Sequence, residues 1–91
     1  MIYKIAVCDD CAADMEYLSL LAGDWAEGAG GRAAVRTFSS GEAFLFCYEE
    51  EQDFDILLLD IEMGGLNGVE LARKIRQENE RVQIVFITGF P

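Results

Sequence analysis

Phe54-Asp55-Ile56-Leu57-Leu58-Leu59-Asp60 is the most apolar run in the chain, and it stops on a carboxylate. Residues 54–59 are too continuously apolar for a strand with one wet face. They read as a central strand of a parallel sheet, buried on both sides. Two other runs end in the same way. Residues 2–8 (IYKIAVC) lead into Asp9-Asp10, and residues 82–87 (VQIVFI) lead into Thr88. A fourth β-rich stretch, 33–38 (AAVRTF), lies between the first two.

Helical spacing fills the intervals. Met15, Leu18, Leu21, Ala22 and Trp25 put apolar side chains on one side of a helix over 12–27. Gly28, Gly30 and Gly31 close it. Ser39-Ser40-Gly41-Glu42 has the S-x-x-E spacing of a capping box and starts a short helix carrying Ala43, Phe44, Phe46 and Cys47. The run Glu49-Glu50-Glu51 reads as its solvated end. After the loop 61–66, Asn67 with Glu70 caps a helix whose apolar side is Val69, Leu71, Ala72 and Ile75. Arg73, Lys74 and Arg76 come late in it, which suits the helix dipole. The order β-α-β-α-β-α-β predicts an α/β fold, a doubly wound parallel sheet with helices on both faces.

In such sheets ligands bind at the carboxyl ends of the strands. Asp9, Asp10, Asp60 and Thr88 all fall there. Three gathered acids repel one another unless a hard cation joins them. Mg²⁺ prefers near-octahedral oxygen ligands and keeps several waters, so two or three carboxylates with a main-chain carbonyl suit it. A carboxylate beside that ion can attack a phosphoryl donor, because the metal offsets the charge of the incoming phosphate. A threonine hydroxyl nearby can hydrogen-bond a phosphoryl oxygen.

Composition sets the outer bounds. Ninety-one residues, 52% of them hydrophobic, make one domain over 1–91 with ample core. The formal charge is −10, from 17 acids against 7 bases. That balance offers no basic footprint for phosphate, so direct DNA or RNA binding is not expected. Anionic membranes are disfavoured too, and a cation or a basic partner surface fits better. The same acidity also serves solubility. The start reaches Asp9 too early for a signal peptide, and no apolar run approaches the roughly 20 residues that span a bilayer. Three cysteines, an odd number, agree with a reducing compartment, and a cytoplasmic location is expected.

Cys8-Asp9-Asp10-Cys11 is a C-x-x-C between a strand and a helix, the place of a thioredoxin-like redox motif. Two aspartates between the thiols oppose thiolate formation, so Cys8 reads as a buried strand residue and Cys11 as part of the first helical turn. A zinc site lacks partners, since the chain has no His and Cys47 is distant in sequence. Trp25, Phe44, Phe46 and Phe54 read as core or helix-packing residues rather than a cofactor box. Asp9-Asp10 as a plain helix-start pair is the competing reading of those acids, and Asp60 and Thr88 at matching places count against it.

At these residues the chain resembles the receiver domain of two-component response regulators. The resemblance rests on a strand ending in Asp9-Asp10, the stretch Asp55 to Met63, Gly68 with Glu70-Leu71-Ala72, and Val85-Phe86-Ile87-Thr88. Together these cover essentially the whole chain. Thr37-Phe38-Ser39-Ser40-Gly41-Glu42 and the aromatic Phe90 resemble the subclass with LytTR-type DNA-binding outputs. The resemblance implies a flavodoxin-like fold of strand order 2-1-3-4. It implies Asp60 as phospho-acceptor, Mg²⁺ on Asp9, Asp10, Asp60 and the main-chain carbonyl of Glu62, and Thr88 as switch hydroxyl. The donor would be the phosphohistidine of a sensor histidine kinase.

Two departures from the family pattern stand out. Gly64 occupies a position that usually holds proline, which leaves the loop freer in the unfolded state. Receivers also run to roughly 120 residues, with a fifth strand bearing a lysine and a switch aromatic, and this sequence stops at Pro91. The fifth strand, the last helices and any output domain are expected to be missing. The strand 82–87 is then an exposed apolar edge, through which self-association as a homo-oligomer is expected. Two alternatives remain open: a Mg²⁺-dependent phosphohydrolase with an Asp nucleophile, and a pseudo-receiver acting only as an interaction module. The hydrolase usually carries a second Asp two residues after the nucleophile, where this chain has Glu62.

Overall fold

Residues 1–88 are described by a computed structural model. Seven elements alternate along them: β1 (Ile2–Cys8), α1 (Ala12–Gly28), β2 (Arg32–Phe38), α2 (Gly41–Tyr48), β3 (Ile56–Asp60), α3 (Gly68–Glu78) and β4 (Gln83–Ile87). The strands form one sheet in the order β2-β1-β3-β4, and every pairing is parallel. This is the expected 2-1-3-4 order. It places β1 and β3 at the centre, where Ile5, Ala6, Val7, Cys8, Leu57 and Leu59 are all buried.

Strand periodicity divides those residues between two faces. Ala6, Cys8, Leu57 and Leu59 join Phe44 and Tyr48 of α2 and Leu71, Ala72 and Ile75 of α3 in the main core. Phe44 sits at its middle, with ring centroids 5.1 Å from Phe38 and 5.5 Å from Phe54. The alternate residues Ile5, Ile56 and Leu58 turn to the other face, towards Leu18 and Ala22 of α1. There α1 leaves an apolar groove of about 430 Å³, which reaches Val85 and Ile87 of β4. No helix among the described residues is long and apolar enough to cross a membrane.

Several local details differ from the expectations. Phe46 is 81% exposed, because Phe44 and Tyr48, four residues apart, take the inward side of α2. Trp25 is half-exposed and packs edge-on against Tyr3, with centroids 4.9 Å apart. Cys11 lies before the first turn of α1, as its N-cap, in an extended conformation. The cap of α2 is Ser40 rather than Ser39, and its hydroxyl accepts the Ala43 N–H at 3.0 Å. Nor is the whole acidic run merely solvated. Glu51 accepts two hydrogen bonds from Arg36 and pairs with Lys4 Nζ at 2.9 Å, while Lys4 also reaches Asp53. Asn67 and Glu70 form the expected capping box at the start of α3.

Candidate functional site

The register builds the site. Cys8 of β1 lies beside Leu59 of β3, so the next residues, Asp9 and Asp60, arrive together at the carboxyl edge of the sheet. Asp10 follows at once. One carboxylate oxygen from each of Asp9, Asp10 and Asp60 lies within 4.8 Å of the other two. Asp9 and Asp60 are buried, at 2% and 8% exposure, and Asp10 is exposed.

Each acid is held by nearby backbone. The Asp9 N–H donates to the Phe38 carbonyl at 3.1 Å, which ties the site to β2. Asp9 Oδ1 accepts the Cys11 N–H at 2.8 Å. Asp60 Oδ1 accepts the Glu62 N–H at 3.1 Å. Asp10 Oδ2 accepts the Gly64 N–H at 3.3 Å, a bond that proline could not donate. The glycine departure therefore adds a tie between the loop and the acids. Burial pushes the Asp9 carboxyl above its usual range. The Cys11 N–H opposes that shift, and the charges of Asp60, Asp14 and Asp10 add to it.

Such a cluster is unfavourable by itself, since buried like charges destabilise one another. It fits a small oxygen-seeking cation. Octahedral ligands at about 2.1 Å from Mg²⁺ stand about 3 Å from their neighbours and about 4.2 Å from the opposite ligand. The three carboxylate oxygens lie within 4.8 Å of one another, close to that spread, so this donor set suits one such ion.

Thr88 follows β4 directly and is exposed. Ile87 pairs with Asp60, so Thr88 stands one residue beyond the level of the acceptor candidate. The Glu62 side chain is exposed, and it is its backbone that engages Asp60. Phe90, read from sequence as a subclass marker, lies outside the described residues. The C-x-x-C has no reactive pair: burial pushes the Cys8 thiol up to about 12, so it stays protonated at neutral pH, while Cys11 is exposed.

Three further residues shape the site. A Cβ on Gly68 would lie 2.3 Å from the Asp60 carbonyl oxygen, so α3 packs directly on the Asp60 peptide. Gly68 was visible in the sequence as part of the motif. Glu42 was read as a cap and as the end of the Thr37–Glu42 run, neither of which involves the loop after β3, yet its Oε2 accepts the Leu66 N–H at 3.2 Å. Gly65, at φ +72°, sits against the same carboxylate. Glu42 and Leu66 are 24 residues apart, and no local pattern signals their contact.

Known proteins point the same way. A sequence model of the response regulator receiver domain matches residues 5–91. The transcriptional regulatory protein NatR of Bacillus subtilis is 31% identical over 86 residues, covering 94% of this chain and 35% of NatR. The sensory transduction protein LytT of Oceanobacillus iheyensis is 42% identical over 48 residues, covering 53% of this chain and 19% of LytT. This chain thus spans about a third or less of the length of these relatives. Among solved structures, the response regulator TrrA of Thermotoga maritima, in complex with Mg²⁺-BeF, superposes with a TM-score of 0.78 at 28% identity. That match covers 97% of this chain and 70% of TrrA. The motif order, the parallel 2-1-3-4 sheet and the match over nearly the full sequence agree: the chain belongs to the response regulator receiver domain family of two-component systems.

Proposed function

We propose that Asp60 accepts a phosphoryl group from the phosphohistidine of a sensor histidine kinase. The observation that carries this reading is the convergence of Asp9, Asp10 and Asp60 at one sheet edge. One Asp60 oxygen is engaged by the Glu62 N–H, which leaves the other to attack phosphorus. The O–P bond forms as the P–N bond to the donor imidazole breaks, and Asp60 becomes an acyl phosphate. Asp9, Asp10, Asp60 and the Glu62 carbonyl would hold Mg²⁺, which when bound offsets the charge between carboxylates and phosphate. Thr88 follows the strand next to Asp60 and supplies a hydroxyl to a phosphoryl oxygen.

The regulatory role we infer is transcriptional and cytoplasmic, with an output of the LytTR type, by likeness to NatR and LytT. The acidic surface supports a basic partner over nucleic acid for this segment. Val85 and Phe86 of β4 are 45% and 44% exposed, which supports self-association through that strand.

The test is intact mass after incubation with a small-molecule phosphodonor and Mg²⁺, beside an Asp60→Asn control. One phosphoryl group on the wild type, absent from the control and absent without Mg²⁺, is the expected result. Steady release of phosphate over many turnovers would favour a hydrolase. An unlabelled chain that still binds a kinase would favour a pseudo-receiver.

A further inference from the structure

We infer that Glu42 is a positioning residue for the acceptor loop, residues 61–67, and sets how readily that loop presents the Glu62 carbonyl to a divalent cation. The inference rests on the acceptor-site reading above. Loop 61–67 contains Gly64-Gly65 and lacks proline, so little within it restricts its own backbone. Met63 anchors its middle in the core and the Gly68 N–H closes its ends on the Ile61 carbonyl, and the rest of its order comes from polar bonds to its surroundings. Two of these bonds run to the acids themselves, Glu62 N–H to Asp60 and Gly64 N–H to Asp10. A cation competes for those same carboxylates. The Leu66 N–H bond to Glu42 is independent of them, because Glu42 stands on α2.

The local packing is built around that bond. Gly65 lies beneath the carboxylate so closely that a Cβ there would be 2.6 Å from Oε2. Gly41, the residue before Glu42, is buried against Leu66, and a Cβ there would be 3.1 Å from the Leu66 carbonyl oxygen. Ser40 caps α2 and fixes the turn from which Glu42 projects. The first turn of α2 is thereby a fixed stop against which the far end of the loop is seated. Glu42 does not touch the reacting atoms and acts only through the loop backbone.

The experiment compares wild type, Glu42→Gln and Glu42→Ala. The amide oxygen of Gln still accepts the Leu66 N–H, whereas Ala cannot. Mg²⁺ affinity is read by calorimetry, the Leu66 amide by NMR in metal-free protein, and the labelling rate at saturating Mg²⁺. Glu42→Ala should weaken Mg²⁺ binding about three- to tenfold, the range expected for the net contribution of one ordinary, solvent-exposed hydrogen bond. It should move the Leu66 amide resonance and leave the saturating rate within about twofold of wild type. Glu42→Gln should restore the affinity to within about twofold. An unchanged isotherm for Glu42→Ala, an unmoved Leu66 amide, or a Gln variant as weak as Ala would each overturn the role. Wild type that binds no Mg²⁺ would sink the acceptor-site reading itself and this role with it, which separates the two failures.

Discussion

Gly68 leaves no room for a side chain, because α3 begins directly on the peptide of Asp60. Gly68→Ala should therefore lower the urea unfolding free energy by about 1–3 kcal/mol, an overpacking cost. It should also slow labelling of Asp60 by displacing the backbone that carries it. Asp9 makes the opposite case. It is buried beside two like charges, and its carboxyl is pushed up mainly by burial. Asp9→Asn should raise stability in chelator by on the order of 1 kcal/mol, and the gain should vanish or reverse in saturating Mg²⁺. Thermal melts with and without Mg²⁺ check this. Both residues were legible in the sequence, Asp9 as the end of an apolar run and Gly68 as part of a motif. Glu42 was not. A capping pattern explained it locally, while its actual partner, the Leu66 N–H, is brought near only by the packing of α2 against the loop before α3.

At the scale of elements, the helices differ in how they begin. The Asn67–Glu70 box closes the start of α3 reciprocally. Asn67→Ala should cost about 1 kcal/mol, measured as a shift in the urea midpoint. The start of α1 has no side-chain cap, since Cys11 stands there. The strands were readable because apolar runs bounded by polar residues locate buried strands whatever their neighbours do. The misplaced details were those decided between elements. Ser39 and Ser40 both fit a cap, and the join from β2 to α2 selects Ser40. Phe46 looked like core by type, but a helix of eight residues buries one side only, and Phe44 and Tyr48 already occupy it.

For the whole molecule, a charge cluster of Lys4, Arg36, Glu51 and Asp53 joins β1, β2 and the segment before β3. Hydrogen bonding from Lys4, then from Arg36, holds the Glu51 carboxyl below its ordinary 4.5, and Lys4 does the same to Asp53 below 3.8. A carboxyl depressed by folding adds stability above its unfolded value, and that stability is lost as pH falls through the folded value. Wild type should therefore lose stability on acidification below about pH 4.5 more steeply than Lys4→Met. Urea titrations between about pH 3 and 6 measure the two slopes. Asp9, shifted upward, acts in the opposite sense in both chains, so the comparison isolates the cluster. The arrangement of strands was predictable from their alternation with helices, whereas this cluster was not, because its members are 49 and 15 residues apart.

The groove beside α1 also gives the chain a built-in optical reporter. Trp25, its one tryptophan, lines that groove and stacks edge-on against Tyr3, near the start of β1 and far along the strand from the acids. Because it is half-exposed, its emission responds to any change in the water over this face, and phosphate on Asp60 would not quench it directly. A blue shift that grows with protein concentration would signal that a second molecule has covered this face. A shift seen on adding Mg²⁺ at constant dilution would instead show that events at the acidic edge are carried through α1 to the opposite end of the sheet.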